Sequence, residues 1–135
     1  RALCARAVVL GGVSGASWLV VRHGALALVC ADSEHLLDLE RVQAEFRVGP
    51  GVTAQRTGNP VLLTSALDRG GEWPAWASTA RRLGLQSAAA LPFVQGDQVT
   101  GVLGLYQLAP GPIKFLSVYP ILRELGTSLP AHHQH

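Results

Sequence analysis

The run Gln86–Leu108, QSAAALPFVQGDQVTGVLGLYQL, constrains the fold more than any other part of the chain. It reads as two β-strands and a tight turn: roughly Ser87–Val94, then Gln95-Gly96-Asp97-Gln98, then roughly Val99–Leu108. Gly96 suits the turn, because a residue without a Cβ takes positive φ at no steric cost. Parity puts Val99, Gly101, Leu103 and Leu105 on one side of the second strand and Val102, Gly104, Tyr106 and Leu108 on the other. Both sets are apolar or small, whereas a strand with one wet face alternates apolar with polar. The hairpin is therefore expected in the middle of a sheet covered on both faces. Gly101 and Gly104 leave room for a close approach, and Pro92, with no N–H to offer a ladder, implies a bulge or a gap in the pairing.

The rest of the chain fits around that hairpin as one domain. A chain of 135 residues, 48% hydrophobic and 15% charged, buries a core without staples. Its net charge is +2 and its longest basic cluster is Arg81-Arg82, which reads as a solvated helix face and leaves no nucleic-acid footprint. No apolar run approaches the ~20 residues of a membrane helix, and no segment reads as a signal peptide. Cys4, in an N-terminal helix, and Cys30, in an apolar strand, lack metal-ligand neighbours at useful spacing and read as buried reduced thiols. A cytoplasmic location is expected on those grounds. The absence of methionine and the start at Arg1 lead to the expectation of an excised domain, and ten arginines against the single Lys114 fit a GC-rich genome.

Taken in order, Arg1–Leu10 is a helix with Leu3, Ala7 and Leu10 on one stripe, stopped by Gly11-Gly12. Strands Ala16–Arg22 and Ala25–Ala31 flank a His23-Gly24 turn. Asp32 or Ser33 caps a helix over Glu34–Glu45, on which Leu36, Leu39, Gln43 and Phe46 share a face. Gln43 is thus a polar group in an apolar stripe, and it either hydrogen-bonds a nearby loop backbone or faces a ligand. Pro50 opens a short helix that Gly58 closes, and Val61–Thr64 is a strand. A glycine-rich loop, Leu67–Gly71, leads to a helix over Pro74–Leu83 ended by Gly84. Trp73, Trp76, Ala77, Ala80 and Leu83 line one face of it, the tryptophans being either core anchors or part of a pocket lid. The last helix takes Ser117 as its cap and Pro120 in its first turn, with Val118, Leu122, Leu125 and Leu129 as its stripe. Residues 131–135 read as a disordered tail beyond a single domain of residues 1–130. The expected fold is α+β: an antiparallel sheet of five to six strands, terminal helices on one face, internal helices and loops on the other.

This order and several local motifs resemble the GAF domain family. GASWLVV at Gly15–Val21 resembles its first strand, and LERVQAEFRVGPG at Leu39–Gly51 its E-x-x-Q…G-P segment. TGNPVLLTSALD at Thr57–Asp68, WPAWASTARRLGLQSAAALPF at Trp73–Phe93 and GVLGLY at Gly101–Tyr106 resemble its later blocks in the same order. The G-P and W-P forms look most like GAF domains of actinobacterial signalling and transcription regulators. The resemblance implies a regulatory sensor module, a homodimer formed through terminal helices, and an output domain elsewhere on the full chain. No cysteine is placed to hold a bilin, and no cyclic-nucleotide signature is visible, so no bilin, haem or metal cofactor is expected.

No catalytic constellation emerges from the serines, histidines and carboxylates, so the expectation is a binding module rather than an enzyme. The usual pocket of the fold lies between the sheet and the internal helices. Its candidate walls are Phe46, Val52, Leu62, Trp73, Trp76 and Tyr106, and its candidate polar groups are Gln43, Thr64, Asp68 and Ser87. The candidate dimer interface is Leu3, Ala7, Leu122, Leu125 and Leu129. A module whose pocket is filled by its own side chains is the main alternative to a small-molecule sensor. A thiol-based free methionine sulfoxide reductase is a third reading, weakened because Cys4 and Cys30 fall outside the segments that family would use.

Overall fold

The computed structural model describes residues 2–64, 72–111 and 113–128, of which residues 2, 115 and 125–128 are described by backbone alone. Five helices and five strands follow in the order α1 (Ala2–Gly11), β1 (Gly15–Arg22), β2 (Ala25–Ala31), α2 (His35–Phe46), α3 (Pro50–Thr57), β3 (Val61–Leu63), α4 (Pro74–Leu83), β4 (Ser87–Gln95), β5 (Gln98–Gln107) and α5 (Tyr119–Ser128). A short 3-10 turn, Phe115–Val118, leads into α5, so Pro120 falls within the first turn, where a missing N–H is harmless. The strands form one antiparallel sheet, ordered β2-β1-β5-β4-β3. β5 lies at its centre, as its two apolar faces require.

Two cores sandwich the sheet. On one face α1, the 3-10 turn and α5 bring Cys4, Ala7, Val118, Ile121 and Leu122 against Trp18, Leu91, Leu103 and Leu105. On the other, α2, α3 and α4 bring Leu36, Leu39, Ala54, Trp73 and Trp76 against Ala88, Ala90, Val102 and Tyr106. Covering the sheet consumes the stripes that were expected to form a dimer. Ala7 is fully buried and Leu122 nearly so, while Leu3 is half-buried against the same core. Ala7 and Leu122 are therefore not available to a partner, a correction to the sequence expectation. The outward apolar residues of α1 include Val9, 78% exposed, and Leu10, 39% exposed. Leu129, the loop containing Asp68 and the tail 131–135 lie outside the described residues.

Two bulges decide which way side chains face. In β2 Trp18 pairs with Cys30 and Leu19 with Leu28, so Val29 is an extra residue. In β5 Phe93 pairs with Gly101 and Val94 with Val99, so Thr100 is extra. The second bulge is the irregularity that Pro92 signals, one residue further along β4. It also reverses Val99, which packs with Val102 and Tyr106 on the internal-helix side rather than with Leu103 and Leu105. Leu108 lies beyond the end of β5 and is half exposed, not in the core.

The glycines of β5 mark close approaches, as expected. A Cβ on Gly101 would collide with the Trp18 indole, and one on Gly104 would lie 2.8 Å from Tyr106 Oη and 2.9 Å from Ser17 Oγ. At the start of α2, Ser33 Oγ accepts from the His35 N–H at 3.1 Å, and Asp32 Oδ1 instead accepts from the Ala16 N–H at 2.7 Å, pinning the end of β2 to β1. Among the described residues no helix is long and apolar enough to cross a membrane.

Candidate functional site

The most constrained polar feature lies under α2. Glu40 and Gln43, one helical turn apart, point at the sheet from a helix whose other inward residues are leucines. Glu40 is only 3% exposed. Its Oε2 accepts hydrogen bonds from the Ser17 and Tyr106 hydroxyls, both at 2.5 Å, and its Oε1 accepts from Gln43 Nε2 at 2.6 Å. Gln43 Oε1 in turn accepts from the backbone N–H groups of Gly51 (2.8 Å) and Val52 (3.3 Å). One connected network thus joins β1, β5, α2 and the first turn of α3. Gly49 and Gly51 admit the carboxamide, since a Cβ on Gly49 would lie 2.5 Å from Gln43 Oε1.

All three donors to Glu40 are neutral. Burial pushes its carboxyl above the usual range, while the hydrogen bonds from Ser17, Tyr106 and Gln43 oppose that shift by favouring the charged form. The Tyr106 hydroxyl is pushed well above its ordinary value by burial and then by the neighbouring Glu40 charge. With both carboxyl oxygens of Glu40 occupied, the network fixes the geometry of the four elements it joins.

Hollows surround this knot. One of about 300 Å3 opens between α2, α4 and the ends of β1 and β5; its walls include Leu36, Leu39, Leu83 and Tyr106, and its rim Ser33, His35 and Arg82. A second, of about 210 Å3, runs between the sheet and α2 beside Glu40 and Gln43. A third, of about 110 Å3, lies beside Gln43 and Val52 near Arg47 and Arg56. A fourth, about 410 Å3, lies at the β3–β4 edge and is lined by Leu62, Thr64, Ser87 and Ile113.

These positions divide the candidate pocket residues. Gln43, Val52, Trp73, Trp76 and Tyr106 are on the internal-helix side. Gln43 bonds the loop backbone, one of its two readings. Leu62 and Ser87 pair with Ala89 and Gln107 and share the terminal-helix side of the sheet, so with Thr64 they line a different hollow. Phe46, the last residue of α2, is 54% exposed and lines none of the four hollows, a correction to its expected place as a pocket wall. Asp68 lies outside the described residues. Trp73 and Trp76 stack edge to face with ring centroids 5.9 Å apart, both buried, so they occupy the interior as core anchors. Among the described residues, Trp76 Nε1 has no hydrogen-bond partner.

Sequence reasoning missed Glu40, although the quoted E-x-x-Q segment contains it at the i, i+3 spacing that puts both side chains on one helix face. His35 and Arg82 were also missed, because they meet only when α2 and α4 pack together. The two cysteines are not separate buried thiols: Cys4 is buried, Cys30 is partly exposed, and their sulfurs touch. Among the described residues no group of three or more His, Cys, Asp or Glu is arranged to hold a metal ion.

A five-stranded antiparallel sheet in this order, sandwiched between terminal and internal helices, defines an α+β architecture. The chain belongs to the GAF domain family, whose model matches residues 1–115. No curated protein sequence matches it. Its fold is similar to that of a GAF domain/HD domain protein from Geobacter sulfurreducens, with 14% identity, TM-score 0.75, and 96% of this chain and 88% of that one covered. It is also similar to a domain of a two-component sensor histidine kinase protein from Sinorhizobium meliloti, with 18% identity, TM-score 0.67, and 95% and 86% covered. A type II free methionine-R-sulfoxide reductase from Thermoplasma acidophilum is similar at 14% identity and TM-score 0.59, with 91% and 89% covered. At these identities the likeness is one of fold.

Proposed function

We propose that this domain is the regulatory sensor module of a cytoplasmic signalling or transcription regulator, of the kind its motifs resemble in actinobacteria, and that it binds a small molecule on the internal-helix side of the sheet. The observation that carries this reading is the hollow of about 300 Å3 between α2 and α4, with leucine walls and a rim of Ser33, His35 and Arg82. That is the lower end of the size range for ligand pockets, and apolar walls with a few convergent polar groups are their usual make-up. It suits a small ligand with an apolar body and a polar or anionic end. Tyr106 forms part of the wall and also donates to Glu40, so a ligand seated there touches the network that ties α2 to the sheet and α3. No bilin, haem or metal enters this reading, and neither does a catalytic step. Homodimerisation would use the outward side of α1 and α5 rather than the inward Ala7 and Leu122, with an output domain reading the helix arrangement. For a ligand to shift that arrangement, it must bind the two states with different affinity.

The self-filled alternative, a structural dimerisation module, is favoured by one observation: Trp73 and Trp76 occupy the interior where a larger ligand would sit. Native mass spectrometry of the gently purified chain separates the two. The sensor reading expects a discrete extra mass that Leu83→Trp, which fills the hollow, abolishes without loss of folding. A bare chain, with amide NMR spectra unmoved by a library of small carboxylates, refutes it in favour of the structural module.

A further inference from the structure

Cys4 and Cys30 sit on different layers, α1 and edge strand β2, yet their Sγ atoms are 2.8 Å apart. Cys4 Sγ also lies 3.4 Å from the Cys30 carbonyl oxygen, to which its thiol can donate. The bulge at Val29 creates this meeting. Strict alternation from Leu28, which faces α2, would turn Cys30 to that side as well; the extra residue turns it instead to the α1 side, with its pairing partner Trp18. The two thiols differ in access. Cys4 is fully buried, and burial, reinforced by the hydrogen bond with Cys30, pushes its pKa up to about 12. Cys30 is partly exposed.

We propose that Cys4 and Cys30 form a reversible disulfide that staples α1 to β2, with Cys30 as the thiol that an oxidant reaches first. This does not depend on the ligand reading above. The oxidant class is a peroxide. The Cys30 sulfur, as thiolate, attacks one peroxide oxygen; the O–O bond breaks, leaving a sulfenic acid on Cys30 and one molecule of water once the departing hydroxide is protonated. The Cys4 sulfur then attacks the Cys30 sulfur; the S–S bond forms, the S–O bond breaks, and the leaving hydroxide takes the Cys4 proton to become the second water. Two thiols and one hydrogen peroxide thus give one disulfide and two waters. A dithiol reductant reverses the bond by exchange. Because Cys4 does not ionise readily, it serves as the resolving thiol and not the entry point. The consequence is mechanical: a terminal helix held by packing, by the Cys4 hydrogen bonds and by the Arg6–Glu124 ion pair becomes covalently fixed to a sheet edge.

The test is hydrogen peroxide titration of the reduced, folded full chain, followed by alkylation in denaturant, intact mass and peptide mapping. The expected result is loss of both free thiols, a mass lower by two hydrogens and a crosslinked Cys4–Cys30 peptide. The melting temperature should rise by on the order of 10 °C, the effect of closing a loop of this length, and fall back with dithiothreitol. Cys4→Ser should leave an oxidised or intermolecularly bridged Cys30, and Cys30→Ser should leave Cys4 unreactive while folded. Two thiols that both remain alkylatable after peroxide overturn the proposal. So does a disulfide that forms only after unfolding, or a Cys30→Ser chain that consumes peroxide as fast as the native one.

Discussion

Removing one hydroxyl, in Tyr106→Phe, tests whether the carboxyl under α2 ionises in place. The substitution keeps the ring in its packing and deletes one of the two hydrogen bonds to Glu40 Oε2, leaving the one from Ser17. A hydrogen bond to a charged group is worth about 1.5–3 kcal/mol, and no donor is orphaned, so a loss of about 2 kcal/mol is expected at neutral pH. For a chain of this size that lowers the melting temperature by roughly 6 °C. The pH dependence is more telling. Burial raises the Glu40 pKa in the folded state above its unfolded value of about 4.3. The folded chain therefore keeps that proton to higher pH than the unfolded chain does, and this group's contribution to stability falls as pH climbs from about 4.3 to the folded value, then levels off. Tyr106 favours the charged form, so deleting its hydroxyl moves the folded value higher still and prolongs the fall. The two stability curves should lie close near pH 4 and diverge above it. Urea denaturation followed by tryptophan fluorescence at a series of pH values measures both. An equal loss at every pH, or a loss below about 0.5 kcal/mol at pH 7.5, would refute an ionisable Glu40 held by Tyr106.

Three further substitutions probe the same architecture. Gln43→Ala strands the N–H groups of Gly51 and Val52 and removes a donor from Glu40, so urea denaturation should show a loss of about 2–4 kcal/mol, well above that of a surface glutamine. Gly101→Ala drives a methyl into the Trp18 ring against the sheet backbone, and should cost about 1–3 kcal/mol with a changed Trp18 fluorescence, whereas Gly24→Ala, in the open hairpin turn, meets no neighbour and tests backbone strain alone. Trp76→Ala should cost about 3–5 kcal/mol, and a void large enough to bind a small aromatic probe, detected by ligand-induced stabilisation, would separate a core anchor from a mobile lid.

The elements were legible because the signals that bound them are local. Pro50 and Gly58 delimit α3, Pro74 and Gly84 delimit α4, and His23-Gly24 turns β1 into β2 at the residues read from the sequence. The centrality of β5 was legible too, since a strand apolar on both faces has only one kind of place to go. The candidate pocket was read less well. Its list mixed residues from both faces of the sheet, because parity along one strand says nothing about the phase of the next. Leu62 and Ser87 are apolar and small polar residues in suitable elements, but pairing with β4 and β5 aims them at the terminal helices. Conversely, Glu40 was quoted within the E-x-x-Q segment but given no role, since nothing in a single sequence reveals that Ser17 and Tyr106 converge on it from strands 23 and 66 residues away.

The bulges carry the sharpest lesson about face and function in this fold. One extra residue in an antiparallel pair reverses every side chain beyond it relative to the alternation before it. At Thr100 that reversal sends Val99 into the internal-helix core; at Val29 it sends Cys30 toward α1. Neither residue type announces a bulge, for both Val and Thr are good strand formers. Pro92 gave indirect warning of the first; the second had none. Both bulges lie in strands that flank β1, and β1 is where the two sides of the domain meet most closely: Ser17 bonds the buried Glu40 on one face, and its neighbour Trp18 packs into the α1 core on the other. A rigid strand with adjacent residues committed to opposite cores moves both or neither. Displacement of α2 and tethering of α1 are therefore alternative ways of acting on the same strand. If so, oxidation of the cysteine pair should alter the pH dependence of stability that Glu40 imposes, and equal slopes in the oxidised and reduced chains would show that the two faces of β1 respond independently.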